Sequence, residues 1–282
     1  MKQFKLLFKL ALLLIIIGSF NLLSSCKDDE PEPEPLLTGE EMRYTLGAFG
    51  NSGVSGTATF AKLDDNSVMI TLTLTGTNSG GDHPTHIHMN TAAEGGAIAI
   101  DLSNVDGSTG ISETIFNSTN DGTSISYEEL IAYNGYINVH NSSSDLGTLL
   151  AQGDIGQNVL TGMSEDYEFF SVSDPNISGS AVFSERINGE TLIVIELTGD
   201  ASDSDHPAHI HMNYTATTGP IDLDLTNVNG DAGMSKTNAS SLNDDTAVIY
   251  DELINFNGYI DVHNSATDLG PLVVQGNIGS NG

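Results

Sequence analysis

The feature that most constrains this chain is an internal repeat with a constant offset of 123 residues. Residues 44–156 align with residues 167–279 without an insertion between their landmarks, and about half of the aligned positions are identical. A unit of this length can bury a core of its own, and it is longer than the repeat of a solenoid. We therefore predict two tandem domains, residues 41–156 and 167–282, joined by a linker at 157–166.

Within each repeat, apolar and polar residues alternate. The stretch at 68–74 (VMITLTL) has the period of two that is typical of a half-buried strand, and clusters of Gly, Asn and Asp separate such stretches. Ser126 and Glu129 have capping-box spacing, which predicts one short helix before the last histidine, with a weaker start in the second repeat, where Ile249 replaces the serine. The prediction is an all-β fold of two tandem antiparallel β-sandwich domains, each with one short helix.

All eight histidines of the chain occupy four repeated positions. Each repeat has the motif His-Pro-x-His-Ile-His-Met-Asn and one later histidine. In chain order they are His83, His86, His88 and His140, then His206, His209, His211 and His263.

Strand geometry predicts a metal site from these positions. Residues i and i+2 of a strand point to one face, so His86 and His88 project together. If the strand that carries His140 is a neighbour, three imidazoles converge. Three nitrogen ligands suit Cu or Zn, one ion per domain, with a position left for water or substrate. The second site would use His209, His211 and His263.

Further residues near the motif are candidates for orienting the ligands or for an additional ligand. They are His83, which we expect in the loop that enters the strand, its mate His206, and the adjacent Asp82 and Asp205. The alternative is that all these histidines simply form hydrogen bonds on a strand face. No nucleophile elbow is apparent, so no catalytic residue is assigned.

The N-terminus predicts export and a lipid anchor. A basic start and an apolar run at 10–20 are typical of a secretory signal peptide, here residues 1–25. The sequence Leu-Ser-Ser-Cys at 23–26 resembles a bacterial lipoprotein cleavage box, which would make Cys26, the only cysteine, the lipidated residue. The alternatives are an incidental cysteine and an uncleaved anchor.

The acidic, Pro-rich residues 26–40 would form an extended tether. This segment also looks like the surface-export signal of Bacteroidota lipoproteins. It predicts a protein anchored to the outer membrane and exposed on the cell surface, or alternatively one that faces the periplasm.

The formal charge of −30 limits the partners. Such a surface repels the phosphates of nucleic acids, so no nucleic acid partner is expected. Besides the membrane that holds the lipid anchor, a protein or a glycan remains as the partner class.

Two family resemblances add to this reading. The His-Ile-His strand, the later Gly-Tyr-Ile-Asn-Val-His at 135–140 and the Gln-Gly-Asp-Ile-Gly at 152–156 resemble the CHRD domain, a module named after chordin. The second repeat matches in the same way. The resemblance implies an extracellular β-sandwich without an established general enzymatic activity. This family usually has a glycine soon after the His-Ile-His strand, where this chain has Met89-Asn90 and Met212-Asn213.

The spacing His83-x-x-His86-x-His88, with the distant His140, is similar to the copper-ligand strands of Cu/Zn superoxide dismutases. It implies a Greek-key sandwich in which His86, His88 and His140 are copper-type ligands and His83 is structural. No histidines remain for a zinc loop, and the acidic surface would repel the superoxide anion.

The sequence thus predicts a cell-surface lipoprotein whose tandem CHRD-like domains act as a non-enzymatic binding module with a metal site in each domain. The alternatives are a copper- or zinc-dependent enzyme with a superoxide-dismutase-like site, and a purely structural or adhesive protein.

Overall fold

The structure is a computed structural model that describes residues 34–199 and 204–282. Pro35–Gly282 form one compact unit, and its regular structure is β-strand apart from two short helices among the described residues, which confirms the all-β prediction. No helix among the described residues has the length and apolarity needed to cross a membrane. The predicted signal peptide and Cys26 lie outside the described residues.

Within the residues that the structure describes, each repeat contributes eight strands and one short helix. The elements of the first repeat are β1 (Leu37–Ala48), β2 (Ser55–Leu63), β3 (Val68–Thr75), β4 (Asp82–Met89), β5 (Ile98–Asp106), β6 (Ile111–Phe116), α1 (Tyr127–Ile131), β7 (Asn134–Ser142) and β8 (Asp145–Gly156). Those of the second are β9 (Leu160–Ser171), β10 (Ser178–Arg186), β11 (Thr191–Thr198), β12 (His206–Met212), β13 (Ile221–Val228), β14 (Met234–Ala239), α2 (Tyr250–Leu253), β15 (Asn257–Ser265) and β16 (Asp268–Gly279).

The strands of the first repeat form a closed barrel in the order β1-β2-β3-β6-β5-β4-β7-β8. In this order β7 lies beside β4, although two strands separate them in the chain. The second repeat has the same neighbours but is open between β13 and β14, so it is an eight-stranded sheet. The order places each histidine motif strand, β4 or β12, directly beside the strand that carries the later histidine.

In the first repeat the strands form a closed barrel and not the predicted two-layer sandwich, because one additional strand pairing joins the ends of the sheet. Strands β5 and β6 pair at one position, Asp106 with Ile111, and this pairing closes the ring. The equivalent residues of the second repeat, Asn229 and Met234, are bridged at the same position, one residue past the end of β13. The two repeats therefore share one topology, and β13 is one residue shorter than β5 at this end.

Two separate apolar cores fill the repeats. The first is built from residues between 44 and 155, and the second from residues between 167 and 278. Strand β3 shows the alternation that predicted it, with Val68, Ile70, Leu72 and Leu74 buried. The division into two domains stays a prediction. Strand β1 starts within the predicted tether and β9 within the predicted linker, because both strands extend their pairing with the following strand past a bulge.

A buried arginine joins the repeats. The side chain of Arg186, at the end of β10, is fully buried, and its Nη1 donates to Asp154 Oδ2 of the first repeat at 2.7 Å. Nη1 also donates to the carbonyl of Asn158, and Nε donates to Asn238 Oδ1 at 2.7 Å. At the equivalent position of the first repeat stands Leu63. The ion pair is thus a feature of the junction and not of the repeated fold.

Candidate metal centres

The pairing of β4 with β7 brings the predicted ligands together. His86 lies opposite Asn138 and His88 opposite Tyr136 in this ladder. One nitrogen from each of His86, His88 and His140 lies within 4.8 Å of the other two. We call these three residues the first cluster. In the second repeat His209, His211 and His263 also converge, together with Asp261, and these four residues form the second cluster. Here Nε2 of His263 and Nδ1 of His209 lie 3.1 Å apart, within hydrogen-bond distance.

Irregular pairing at both ends of the site aims these side chains. The register shifts between Ile87 and His88 in the β4–β5 ladder, and again between Val139 and His140 in the β7–β8 ladder. The second repeat has the same two shifts. Such bulges re-aim side chains and are common beside functional sites. Both repeats thus build the same local distortion around their histidines.

Hydrogen bonds fix the tautomers of two histidines in the first cluster. Nδ1 of His88 donates to the carbonyl of Gly96 at 3.0 Å, and Nδ1 of His140 donates to the carbonyl of Leu146 at 2.7 Å. Each neutral ring therefore carries its lone pair on Nε2, which points into the cluster. A side chain at Gly96 would place its Cβ 2.0 Å from the carbonyl oxygen of Met89, so this acceptor depends on the glycine.

The inward nitrogens of the first cluster have no partner. Nδ1 of His86, Nε2 of His88 and Nε2 of His140 are buried and make no hydrogen bond to any described residue. Leaving a buried polar atom unsatisfied costs about 1–3 kcal/mol. The inward lone pairs of His88 and His140 repel each other, and neither of these two rings can donate to the other in this tautomer. A cation at the centre would relieve all three at once.

The dimensions fit a small transition-metal ion. A tetrahedral ion at about 2.0–2.1 Å from each nitrogen needs the nitrogens roughly 3.3 Å apart. The observed separations are within 4.8 Å, so small rotations of the rings would close the site. Neutral imidazoles suit Zn, Cu, Fe and Ni, whereas Mg and Ca prefer oxygen ligands. When bound, such an ion would supply Lewis acidity at a centre ligated by His86, His88 and His140.

Burial keeps the rings in the form that binds metal. The pKa of His86 is lowered by burial and then by the nearby His140, and burial also lowers the pKa of His140 and of His263. The rings of His86 and His140 are therefore neutral at pH 7. Tyr136 stacks on His88 with ring centroids 5.0 Å apart, and Tyr259 stacks on His211 at 4.9 Å, which holds these rings in place.

The second cluster differs by one carboxylate. Asp261 stands where the first repeat has Asn138, and it is almost completely buried. Its oxygens lie 3.1 Å from His211 Nε2, 3.3 Å from His263 Nε2 and 3.6 Å from His209 Nδ1. Burial alone would raise the pKa of Asp261, but the imidazoles around it hold this pKa below its usual range, while Asp261 raises the pKa of His211 against the effect of burial.

Two outer carboxylates were missed by the sequence reasoning. Asp101 Oδ1 lies 3.8 Å from His86 Nε2, and Asp224 Oδ1 lies 3.8 Å from His209 Nε2. A ligand histidine commonly turns its other ring nitrogen toward a carboxylate. Both aspartates sit directly opposite their histidine, in β4–β5 and β12–β13. The spacing in the sequence gives no sign of this, because it depends on the register between two strands.

The other predicted residues lie outside the clusters. His83 is buried within strand β4 and not in a loop, because a register shift after it accommodates Pro84, which has no N–H to donate. Its Nδ1 donates to the carbonyl of Asn141, beside His140, and Nδ1 of His206 donates to the carbonyl of His263. The exposed Asp82 and Asp205 accept instead from the amides of two asparagines, Asn104 and Asn229.

Comparison with known proteins supports one of the two resemblances. No curated protein and no solved structure matches the chain. Residues 37–149 match the family model of the CHRD domain. This range contains the first cluster complete. The predicted resemblance to a CHRD domain is therefore confirmed for residues 37–149 of the first repeat.

Proposed function

We propose that this protein is a non-enzymatic binding module that holds one Cu or Zn ion at each histidine cluster. The ligands are His86, His88 and His140 in the first repeat and His209, His211 and His263 in the second. The observation that supports this proposal most strongly is the set of three buried, converging nitrogens without a hydrogen bond among the described residues, two of which, on His88 and His140, direct a lone pair inward.

A purely structural role accounts for this arrangement less well. Buried ring nitrogens are usually hydrogen-bonded, because an unsatisfied one destabilises the folded state. His83, outside the clusters, also has a buried Nε2 without a hydrogen bond among the described residues, but only in the cluster do three such nitrogens of the first repeat converge. In the first cluster His88 and His140 each satisfy only the nitrogen that faces away from the centre.

The match to the CHRD domain supports a binding module rather than an enzyme. A copper- or zinc-dependent enzyme is the alternative, and the open fourth position of the first cluster favours it. The acidic surface argues against an anionic substrate such as superoxide. In the proposal the repeats act as two CHRD-like Greek-key domains that carry the metal and bind a protein or a glycan.

The metal proposal is tested by measuring bound metal. A soluble form that starts at Pro35 is dialysed against Zn²⁺ or Cu²⁺, and its metal content is determined by elemental analysis. We expect close to two ions per chain, and close to one after His86→Ala together with His88→Ala. Asp82→Asn with Asp205→Asn is the matched control, because these carboxylates lie outside the clusters, and it should keep both ions. Retention of both ions in the histidine variant would refute the proposal.

We also propose that Cys26 carries a lipid that anchors the protein to the outer membrane, with its body on the cell surface. The support is the sequence of residues 1–40 alone. Metabolic labelling with a fatty acid should mark the wild type and not a Cys26→Ser variant. Protease added to intact cells should remove the protein if it faces outward and leave it intact if it faces the periplasm.

A further inference from the structure

We infer that the two clusters are unequal metal sites: the first is an open three-nitrogen site, and the second is a closed site in which Asp261 is the fourth ligand. This inference rests on the proposed function and goes beyond it, because it assigns a different coordination and a different task to each repeat.

The two clusters differ because one side-chain amide nitrogen in the first repeat is replaced by a carboxylate oxygen in the second, at the same place in the fold. Asn138 and Asp261 occupy equivalent places, each opposite the first histidine of its cluster in the strand ladder. In the first repeat the Oδ1 of Asn138 is already engaged, because it accepts a hydrogen bond from Gln152 Nε2 at 2.8 Å. An amide oxygen engaged in this way carries no charge and is a weak ligand for Zn²⁺ or Cu²⁺.

In the second repeat the carboxylate already lies among the three histidines. Its two oxygens lie within 3.1–3.6 Å of the inward nitrogens of His209, His211 and His263. Oδ1 is buried and makes no hydrogen bond to any residue that the structure describes. A carboxylate at this depth is stable only when it is paired with a positive charge or a metal.

These contacts predict different coordination. Three nitrogens and one carboxylate complete the tetrahedral shell of Zn²⁺, as in structural zinc sites, whereas three nitrogens leave a position for water or an exogenous ligand. The carboxylate also cancels one unit of the ion's charge in a buried place, where a charge must be paired or coordinate a metal. The second cluster should therefore hold its ion more tightly, and the first should be the one that exchanges ligands.

The first test compares the sites one at a time. His209→Ala with His211→Ala leaves only the first cluster, and His86→Ala with His88→Ala leaves only the second. Zn²⁺ affinity is measured by competition with a chromophoric chelator. Loss of even an outer partner of a ligand costs about 10–100-fold in metal affinity, so we expect the second cluster to bind at least about tenfold more tightly.

The exchange variants test whether Asp261 causes the difference. Asp261→Asn should weaken the second cluster to the affinity of the first, and Asn138→Asp should strengthen the first. These single changes are made in the otherwise intact chain, so they remain informative if a paired alanine variant fails to fold. Circular dichroism verifies the strand content of each variant.

A second measurement detects whether the metal ion in each cluster has an open coordination position. With Co²⁺ as the probe ion, azide should change the visible absorption of the first cluster and not that of the second. In Asp261→Asn, azide should affect both clusters.

The outcomes separate the two proposals. Equal Zn²⁺ affinities, an azide response at both clusters and no effect of Asp261→Asn would overturn the inequality and leave metal binding intact. Binding at the second cluster only after Asp261→Asn would show that the carboxylate takes the place of the ion, and it would also overturn the inference. Failure of both clusters to bind Zn²⁺, Cu²⁺ or Co²⁺ would refute the proposed function itself.

Discussion

The ion pair at the junction predicts a large loss of stability when it is broken on one side. In an Arg186→Leu variant the guanidinium is replaced by the residue type that the first repeat has at this position, Leu63. The change leaves the Asp154 carboxylate, which is 17% exposed, without its cationic partner. It also removes the donors to the carbonyl of Asn158 and to Asn238. Removing one partner of a buried ion pair typically costs about 3–5 kcal/mol.

The matched control also uses a residue of the other repeat. At the position equivalent to Asp154 the second repeat has Asn277, so Arg186→Leu with Asp154→Asn puts both positions into the uncharged form found in the partner repeat. This double variant no longer buries an unpaired charge. We expect it to recover most of the stability that the single variant loses.

Urea unfolding followed by far-ultraviolet circular dichroism measures both effects. The reasoning predicts a much lower midpoint for Arg186→Leu and a midpoint between that of the single variant and the wild type for the double variant. A loss below about 1 kcal/mol in the single variant, the range of a surface ion pair, would contradict it. Strictly additive effects of Arg186→Leu and Asp154→Asn would contradict it as well.

Two further predictions concern the helices and the pH dependence. Ser126→Ala should destabilise the protein by about 0.5–2 kcal/mol, because the Ser126 hydroxyl accepts a hydrogen bond from the backbone amide of Glu129. Ile249→Ser should stabilise the protein, because it adds the side-chain cap that the second helix lacks. Thermal unfolding measures both effects, and equal, small changes in the two variants would contradict the cap assignment. Burial lowers the pKa of His86 and His140 below the ordinary value of 6.5, so the unfolded chain takes up protons first as the pH falls, and metal-free protein should lose stability below about pH 6.5. His211 acts in the opposite direction, because its raised pKa contributes stability that is lost as the pH rises above 6.5. His211→Gln should therefore steepen the loss of stability on acidification. The midpoints of urea unfolding at pH 7.5 and pH 5.5 measure this effect.

The central geometry of the site could be predicted from the sequence because it depends on short-range rules. Two histidines at i and i+2 share a face of a strand in any sheet. The prediction that His140 joins them needed one assumption, that β7 neighbours β4, and the strand order supplies it. The all-β fold followed in the same way from the alternation of residues such as Val68 and Ile70.

What the sequence did not reveal depends on register and on differences between the repeats. Asp101 meets His86 only because of the pairing of β4 with β5. The change from Asn138 to Asp261 looks conservative in an alignment, yet it replaces a neutral amide by a buried charge among three imidazoles. Nothing in the sequence marks Arg186, which stands where the first repeat has Leu63, as the residue that joins the repeats. Closure of the barrel at Asp106 was likewise invisible, because one strand pairing decides it.

A crystal structure of the Zn²⁺-loaded protein, with anomalous data collected at the zinc edge, would test the central claim most directly. The account predicts two anomalous peaks per chain. One should lie about 2.0–2.1 Å from Nδ1 of His86, Nε2 of His88 and Nε2 of His140, and the other at the same distance from the equivalent nitrogens of His209, His211 and His263. Peaks confined to surface carboxylates, or clusters without a peak at saturating Zn²⁺, would contradict it.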